Sequence, residues 1–334
     1  MKVLVTGGAG YIGSTIASAL EEAGHTPVIL DSLITGQEAF IGERIFYKGD
    51  IADRVLLEQL LNEQPDIACT IHCAALIVVP ESVENPYLYY RENVCKSLEL
   101  FKNLEEFGKG RVVFSSSASI YDVVPDFKVT EDSPLNPSSP SARTKYMMEM
   151  VLSDMAQAGD LKAIALRYFN PIGADPEYRS GIHVREPSHV LGKLVDTALG
   201  KLPEFQITGV DWSTRDGSGI RDYIHVWDLA RAHVKAVEKF DDVLDETGEP
   251  YTVINLGTGD GVTVKELVAA FERVWGESIS KSEAPPRPGD VAGAYANADR
   301  AEALLGWQAE HSIDEGIESA LEWGKKRKDI LGYT

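Results

Sequence analysis

Three glycines, Gly7, Gly10 and Gly13, stand in the run T-G-G-A-G-Y-I-G close to the start of the chain. A glycine turn of this spacing lets backbone approach a pyrophosphate and lets the following helix pack tightly on its strand. The apolar run before it, KVLVT, predicts a strand, and the apolar spacing from Ser14 onward predicts a helix. The helix N-terminus then faces the phosphates with free N–H groups and a favourable dipole. Asp31 ends the second apolar run, TPVIL, where a carboxylate accepts hydrogen bonds from ribose hydroxyls and repels a 2′-phosphate. The predicted chemistry is binding of NAD in preference to NADP, through Gly7, Gly10, Tyr11, Ile12 and Gly13 at the turn and Asp31 and Ser32 beyond the second strand. A glycine-rich turn that holds nothing is the bland alternative; the strand before, the helix after and Asp31 weigh against it. Asp50 and Ile51, in KGDIAD, either flank the adenine or, for Asp50, cap the next helix.

The elements that must position these residues are legible in the same way. The runs KVLVT, TPVIL, RIFYK, DIACTIHCAA, RVVFSS and LKAIALRY alternate with helical patterns at 14–23, 53–63, 84–107 and 141–157. Alternation of this kind predicts an α/β fold, a Rossmann doubly wound parallel sheet with crossover helices. After Asn170 the pattern loosens into loops, a helix near 188–200 and Gly-rich stretches, which predicts a smaller mixed α/β substrate lobe. The expected division is residues 1–169 for the NAD-binding domain and 170–334 for the lobe, with a return to the first domain through YTVINLG at 251–257.

With 334 residues, 44% of them hydrophobic, the chain can fill a substantial core. Its 52 acidic and 32 basic residues give a formal charge of -20, which repels nucleic-acid phosphates and anionic headgroups. No nucleic acid and no membrane is expected as a partner, whereas an anionic small molecule stays open because a few arginines override the average field locally. Cys69, Cys73 and Cys95 are too few for a disulfide framework and read as packing residues, with no metal site implied. The start MKVLVTGGAG lacks a charged n-region and cleavage site, and no apolar run is long enough to span a bilayer. The cytoplasm is the expected compartment.

Four further motifs, FSSSASIY at 114–121, RYFNPIGA at 167–174, RDYIHVWDLA at 221–230 and PRPGDVAGAYAN at 286–297, join the glycine turn. Together they resemble the extended branch of the short-chain dehydrogenase/reductase superfamily, and within it most closely the UDP-glucose (UDP-galactose) 4-epimerase family. The resemblance covers nearly the whole chain, and its motifs are specific in combination. It implies a Tyr-x-x-x-Lys pair on one helical face, in which the lysine holds the nicotinamide ribose and lowers the tyrosine pKa, and the tyrosinate takes the proton from the sugar hydroxyl. It further implies that Ser117 hydrogen-bonds that hydroxyl, that Asn93 braces the nicotinamide region, and that Ala74, Ala75 and Tyr168 lie against the cofactor. Ile77 stands where many members have lysine, and Asp122 where glycine is usual.

The sequence departs from the family at its centre. The segment reads NPSSPSARTKYMMEM, so Lys145 has Ser141 four residues before it where the family has tyrosine, and no other Tyr-x-x-x-Lys occurs. Tyr146, adjacent to Lys145, lies about 100° away around a helix and cannot share its face. A serine hydroxyl lacks the reach and the accessible pKa of a phenol, and loss of a general base lowers a rate on the order of 10²–10⁴-fold. Severe impairment is the expectation. Natural loss is one explanation; because every surrounding motif is kept, a deliberate Tyr→Ser substitution is the favoured one.

For a UDP-sugar substrate the resemblance implies Arg221 and Arg287 at the diphosphate, Asn170 at the diphosphate or sugar, and Asp290 at the uridine ribose. His189 falls where a second asparagine is common. Ala294 stands where some members carry a bulky tyrosine and others a small cysteine, and a small residue leaves room for a 2-acetamido group. The expected reaction oxidises C4, rotates the keto sugar and re-reduces it, with NAD regenerated each cycle. A UDP-glucuronate 4-epimerase and a non-catalytic NAD and sugar-nucleotide binding protein are the rivals; a 4,6-dehydratase would want an acidic pair where Ser116-Ser117-Ala118 stand. Helices 84–107 and 141–157 carry apolar surface for a homodimer, as similar proteins have.

Overall fold

A computed structural model describes residues 1–287 and 290–332. The first half runs β1 (Lys2–Thr6), α1 (Tyr11–Glu22), β2 (Thr26–Asp31), β3 (Ile45–Lys48), α2 (Arg54–Glu63), β4 (Ile67–His72), α3 (Val79–Glu84), α4 (Pro86–Tyr89), α5 (Lys96–Glu106), β5 (Arg111–Ser115), β6 (Lys128–Val129), α6 (Pro140–Ala158) and β7 (Lys162–Tyr168). A π-helical stretch, Tyr90–Cys95, joins α4 to α5. There follow β8 (Asn170–Ile172), α7 (Val190–Ala198), β9 (Phe205–Thr208), β10 (Ile220–Arg221), β11 (Tyr223–His225), α8 (Val226–Glu238), α9 (Phe240–Thr247) and β12 (Tyr251–Leu256). The chain closes with β13 (Val262–Thr263), α10 (Val264–Trp275), β14 (Lys281–Ala284), β15 (Gly293–Ala296), α11 (Asp299–Leu305) and α12 (Ile313–Leu331).

The seven apolar runs form one seven-stranded sheet in the order β12-β7-β5-β4-β1-β2-β3, and every pair in it is parallel. This is the doubly wound Rossmann sheet, with its switch point between β1 and β4. Period-two alternation feeds two cores. Val3, Val5, Ile71 and Val113 face α1 and α8, while Leu4, Val28, Val112 and Phe114 face α2, α5 and α6. The helix expected over 84–107 is instead two α segments separated by the π-helical stretch.

The two halves of the sequence interleave in space. β12, α8, α9 and α11, all beyond residue 170, pack into the same core as β1, through residues such as Leu229, Phe240, Ile254 and Leu305. Conversely β6, from the first half, edges the small sheet β13-β10-β15-β6. Among the described residues no helix is long and apolar enough to cross a membrane.

Candidate active site

The glycine turn is built as the spacing requires. Gly7 has φ +73°, and a Cβ there would lie 2.7 Å from the Ala74 nitrogen; one on Gly13 would lie 2.2 Å from the Gly7 carbonyl. Gly10 is the N-cap of α1 and supplies no side-chain cap, so the N–H groups of Tyr11, Ile12 and Gly13 open the helix with no side chain across them. The Tyr11 side chain faces elsewhere, since its hydroxyl donates to the Gly173 carbonyl at 2.7 Å. Ile12 packs on the main core. At these two positions the side chains are engaged elsewhere, which leaves the backbone N–H groups at the turn.

Beyond the turn lies an open cleft of about 690 Å³ at the switch point. Gly7, Gly10, Asp31 and Ser32 line one bank; Asp50, Ile51, Ala74, Ala75 and Asn93 line the rest. The buried Asp31 carboxylate accepts from Ala9 N at 2.9 Å and Leu33 N at 2.8 Å, and Leu33 sits in the left-handed region at φ 60°. Each carboxylate oxygen keeps a second lone pair for a ribose hydroxyl. Asp50 is not the cap of α2; Asp53 is, accepting from Val55 N and Leu56 N. Asp50 instead accepts from the Lys96 ammonium, which also bonds Glu92 at 2.5 Å. Lys96 and Glu92 both line the cleft and were missed from sequence, although their i,i+4 spacing was a signal. Ile77, next to Leu76 of the cleft wall, is 68% exposed.

Helix α6 brings Ser141 and Lys145 to one face. Ser139 caps the helix by accepting from Ala142 N, and Pro140 occupies its first position, which fixes where Ser141 begins the first turn. Lys145 is buried, its ammonium donates to the Ser115 carbonyl at 2.7 Å, and burial pushes its pKa down to about 8. Asn93 ties this helix to the cleft wall: its amide donates to Leu76 O at 2.9 Å and Thr144 Oγ1 at 3.1 Å, and its oxygen accepts from Leu76 N. Thr144 in turn donates to the Ser141 carbonyl at 2.7 Å. Tyr146 is the next residue of the same helix and half-buried.

The three serines at the end of β5, Ser115 to Ser117, separate into distinct roles. Ser115 is fully buried against His233, 2.9 Å away, and Cys73, at 3.1 Å. Ser116 donates to Glu149. Only Ser117 is partly exposed, accepting from Ser119 N at 3.2 Å. Tyr168 lies beside Ser115 and Cys73, and burial holds its phenol well above the ordinary value. Asp122 accepts from Val123 N and Asn136 and belongs to the segment between β5 and β6. Cys73 forms part of the cleft wall, and burial pushes its thiol up to about 11; Cys69 is buried and Cys95 exposed. Among the described residues no cluster of His, Cys, Asp or Glu is placed to hold a metal.

In the lobe, Arg221 and Ala294 are register partners on the parallel strands β10 and β15. The Arg221 guanidinium donates to the carbonyls of Ile220, Ala292 and Val291 at 2.7 to 3.1 Å. Burial, with the Arg287 cation close by, pushes its pKa down. Arg287 is exposed and pairs with Asp290 at 3.1 Å. The Asp290 carboxylate that pairs with Arg287 also acts on Arg221 and opposes that shift. The neighbouring motif positions 288 and 289 lie outside the described residues. Asn170 pairs with Tyr223 in the β8–β11 ladder. The His189 ring caps α7, its Nδ1 accepting from Gly192 N at 3.1 Å. Asp222, unnoticed in the sequence, is fully buried and accepts from Thr258 N, Thr258 Oγ1, Gly259 N and Ala296 N.

Comparison with known proteins adds the wider context. The profile of the NAD dependent epimerase/dehydratase family matches residues 3–257. The chain is 39% identical to the UDP-glucose 4-epimerase of Bacillus subtilis (strain 168), over 100% of this chain and 99% of the relative. It is 40% identical to that of Rhizobium leguminosarum bv. trifolii, over 97% of each. Among solved structures it is similar to UDP-glucose-4-epimerase from Stenotrophomonas maltophila with bound NAD and formylated UDP-arabinopyranose, at TM-score 0.93 and 36% identity, covering 98% of this chain and 99% of that one. The Bifidobacterium longum UDP-glucose 4-epimerase in complex with NAD+ and UDP follows at TM-score 0.90 and 36% identity, covering 98% of both chains. A glycine turn on an uncapped helix, an aspartate at the end of β2 lining the cleft and full-length likeness agree, and the chain belongs to the NAD-dependent epimerase/dehydratase family.

Proposed function

We propose that this chain interconverts UDP-glucose and UDP-galactose, and accepts the corresponding 2-acetamido sugars, at a rate limited by Ser141. The observation that supports the reading is the register of Arg221 with Ala294, which sets a guanidinium beside a small residue; we assign the first to the diphosphate and the second to the sugar pocket. The cofactor cleft fits NAD, because the start of α1 carries no side-chain cap over its N–H groups and Asp31 keeps acceptors for a ribose. NAD, when bound, supplies reversible hydride chemistry at C4 of the sugar. Arg221 and Arg287 would hold the diphosphate, Asn170 and Asp290 the sugar and uridine ends, and Ser117 the reacting hydroxyl. Lys145 would orient the nicotinamide ribose. We place the protein in the cytoplasm as a homodimer.

Reverting the chemistry tests this directly. Ser141→Tyr is expected to raise UDP-galactose to UDP-glucose conversion by on the order of 10²–10⁴-fold. No gain of turnover would favour a non-catalytic NAD and sugar-nucleotide binding protein, the reading that Ser141 itself supports. Affinities for UDP-glucose, UDP-galactose, UDP-GlcNAc and UDP-GalNAc, measured side by side, are expected to be similar; exclusion of the acetamido pair would sink the pocket assignment.

A further inference from the structure

The geometry points to Lys145 as the proton acceptor of this chain, with Ser141, one turn earlier on the same face of α6, bridging its amine to the sugar hydroxyl. This rests on the reading above, that a UDP-sugar is oxidised at C4. In a Tyr-x-x-x-Lys site the lysine assists a phenol. Here the phenol is absent and the lysine has an environment of its own.

Lys145 is only 9% exposed, bonds the Ser115 carbonyl at 2.7 Å and lies 5.0 Å from the Phe114 ring centroid. An ammonium has three donors, and a carbonyl and a ring face are weak compensation for lost water. The charged and titratable groups that face it do not repair this. From the end of β4, burial holds the His72 imidazole down to about 3 and the Cys73 thiol up to about 11, so both are neutral near pH 8. On its own helix Glu149 is engaged by Arg167 of β7, whose Nη2 lies 2.6 Å from the carboxylate. The neutral amine is therefore favoured, and the pKa falls to about 8. A base titrating there matches proton transfer near neutrality far better than a serine hydroxyl does.

Ser141 and Lys145 are four residues apart, which brings their Cβ atoms to about 5–6 Å on a helix. In the oxidation the C4–O–H bond breaks. Its proton passes to the Ser141 oxygen as the serine proton passes to the Nζ lone pair, leaving an ammonium. The C4–H electron pair leaves with its hydrogen in the hydride chemistry stated above. Re-reduction reverses both movements, so the amine is regenerated each cycle.

The test uses the NAD-loaded full chain with UDP-galactose as probe. In the parent protein kcat is expected to rise roughly tenfold per pH unit below about pH 8 and then level off, the behaviour of one essential base. Lys145→Arg should lower the remaining turnover at least about tenfold and abolish the plateau while UDP still binds. Independently of activity, acetylation of the Lys145 amine by acetic anhydride, followed by mass spectrometry across pH without sugar, should have its midpoint near 8. Ser141→Tyr separates the two levels. If that variant turns over but the parent profile is flat, or Lys145 acetylates only near the ordinary lysine pKa of about 10, the proposal is overturned and the function stands. If Ser141→Tyr is inactive, both fall.

Discussion

Glu149 and Arg167 form a two-pronged ion pair beneath the active-site helix: Arg167 Nη2 lies 2.6 Å and Nε 3.0 Å from the carboxylate, with both side chains 5% exposed or less. Ser116 donates to the same carboxylate, and Arg167 Nη1 donates to the Tyr121 hydroxyl at 2.9 Å. The pair thus fixes α6 against β7 one turn beyond Lys145. Glu149→Gln leaves a buried arginine without its counter-charge and is expected to lower unfolding stability by about 3–5 kcal/mol. Urea denaturation measures it, and a loss below about 1 kcal/mol would show that the pair holds nothing in place.

Acid should unfold the protein earlier than its many carboxylates alone imply. Burial holds the imidazoles of His72 down to about 3 and of His189, His225 and His233 to about 4, against 6.5 in an exposed chain. The unfolded chain therefore binds more protons between those values. The stability these histidines carry is full above pH 6.5 and is lost as pH falls towards 4. Urea midpoints at pH 7, 6, 5 and 4 should fall steadily; a constant midpoint down to pH 5 would contradict the buried, neutral assignment.

Cofactor choice should follow one carboxylate. Asp31 faces the cleft with both oxygens oriented by backbone N–H groups, so a 2′-phosphate meets a fixed negative charge. Asp31→Ser is expected to weaken NAD and strengthen NADP, shifting their affinity ratio by at least about tenfold, or 1.4 kcal/mol. Titration of both nucleotides by intrinsic fluorescence would reveal it. An unchanged ratio would place the ribose elsewhere.

Asp222 links the two parts of the molecule. Its carboxylate accepts from Thr258 and Gly259, after β12 of the large sheet, and from Ala296 on the strand that carries Ala294. Asparagine would turn an N–H toward an N–H there, a buried mismatch of about 1–3 kcal/mol. Asp222→Asn is expected to reduce UDP affinity on the order of tenfold while NAD affinity stays unchanged. Calorimetry of the two ligands separates this from general unfolding, in which both would be lost.

Local signals carried most of the fold. Each apolar run became a strand of the parallel sheet, and the glycine turn, the strand before it and Asp31 arrived together, because all depend on neighbours within one βαβ unit. What sequence concealed was pairing across distance. Nothing near Asp50 announces Lys96, 46 residues on, and nothing near Asp222 announces Ala296, 74 residues on. Spacing also placed Tyr11 at the cofactor turn but not its hydroxyl, which Gly173 takes from a later loop. His189 likewise sits where a substrate residue was expected, yet part of its ring serves the helix it begins.

The π-helical stretch Tyr90–Cys95 gives the rod from Pro86 to Glu106 two separate phases. Before it, Tyr89 is keyed to the loop after β4 through both polar groups of Val78; after it, Ser97 is keyed to His72 within that strand. A uniform α-helix advances by a fixed angle per residue and cannot satisfy two such unrelated demands. The widened turn absorbs the mismatch, and Asn93, in its middle, is the residue rotated inward to join the two. The rod behaves as a vernier, in which one wide division lets two scales be read against each other.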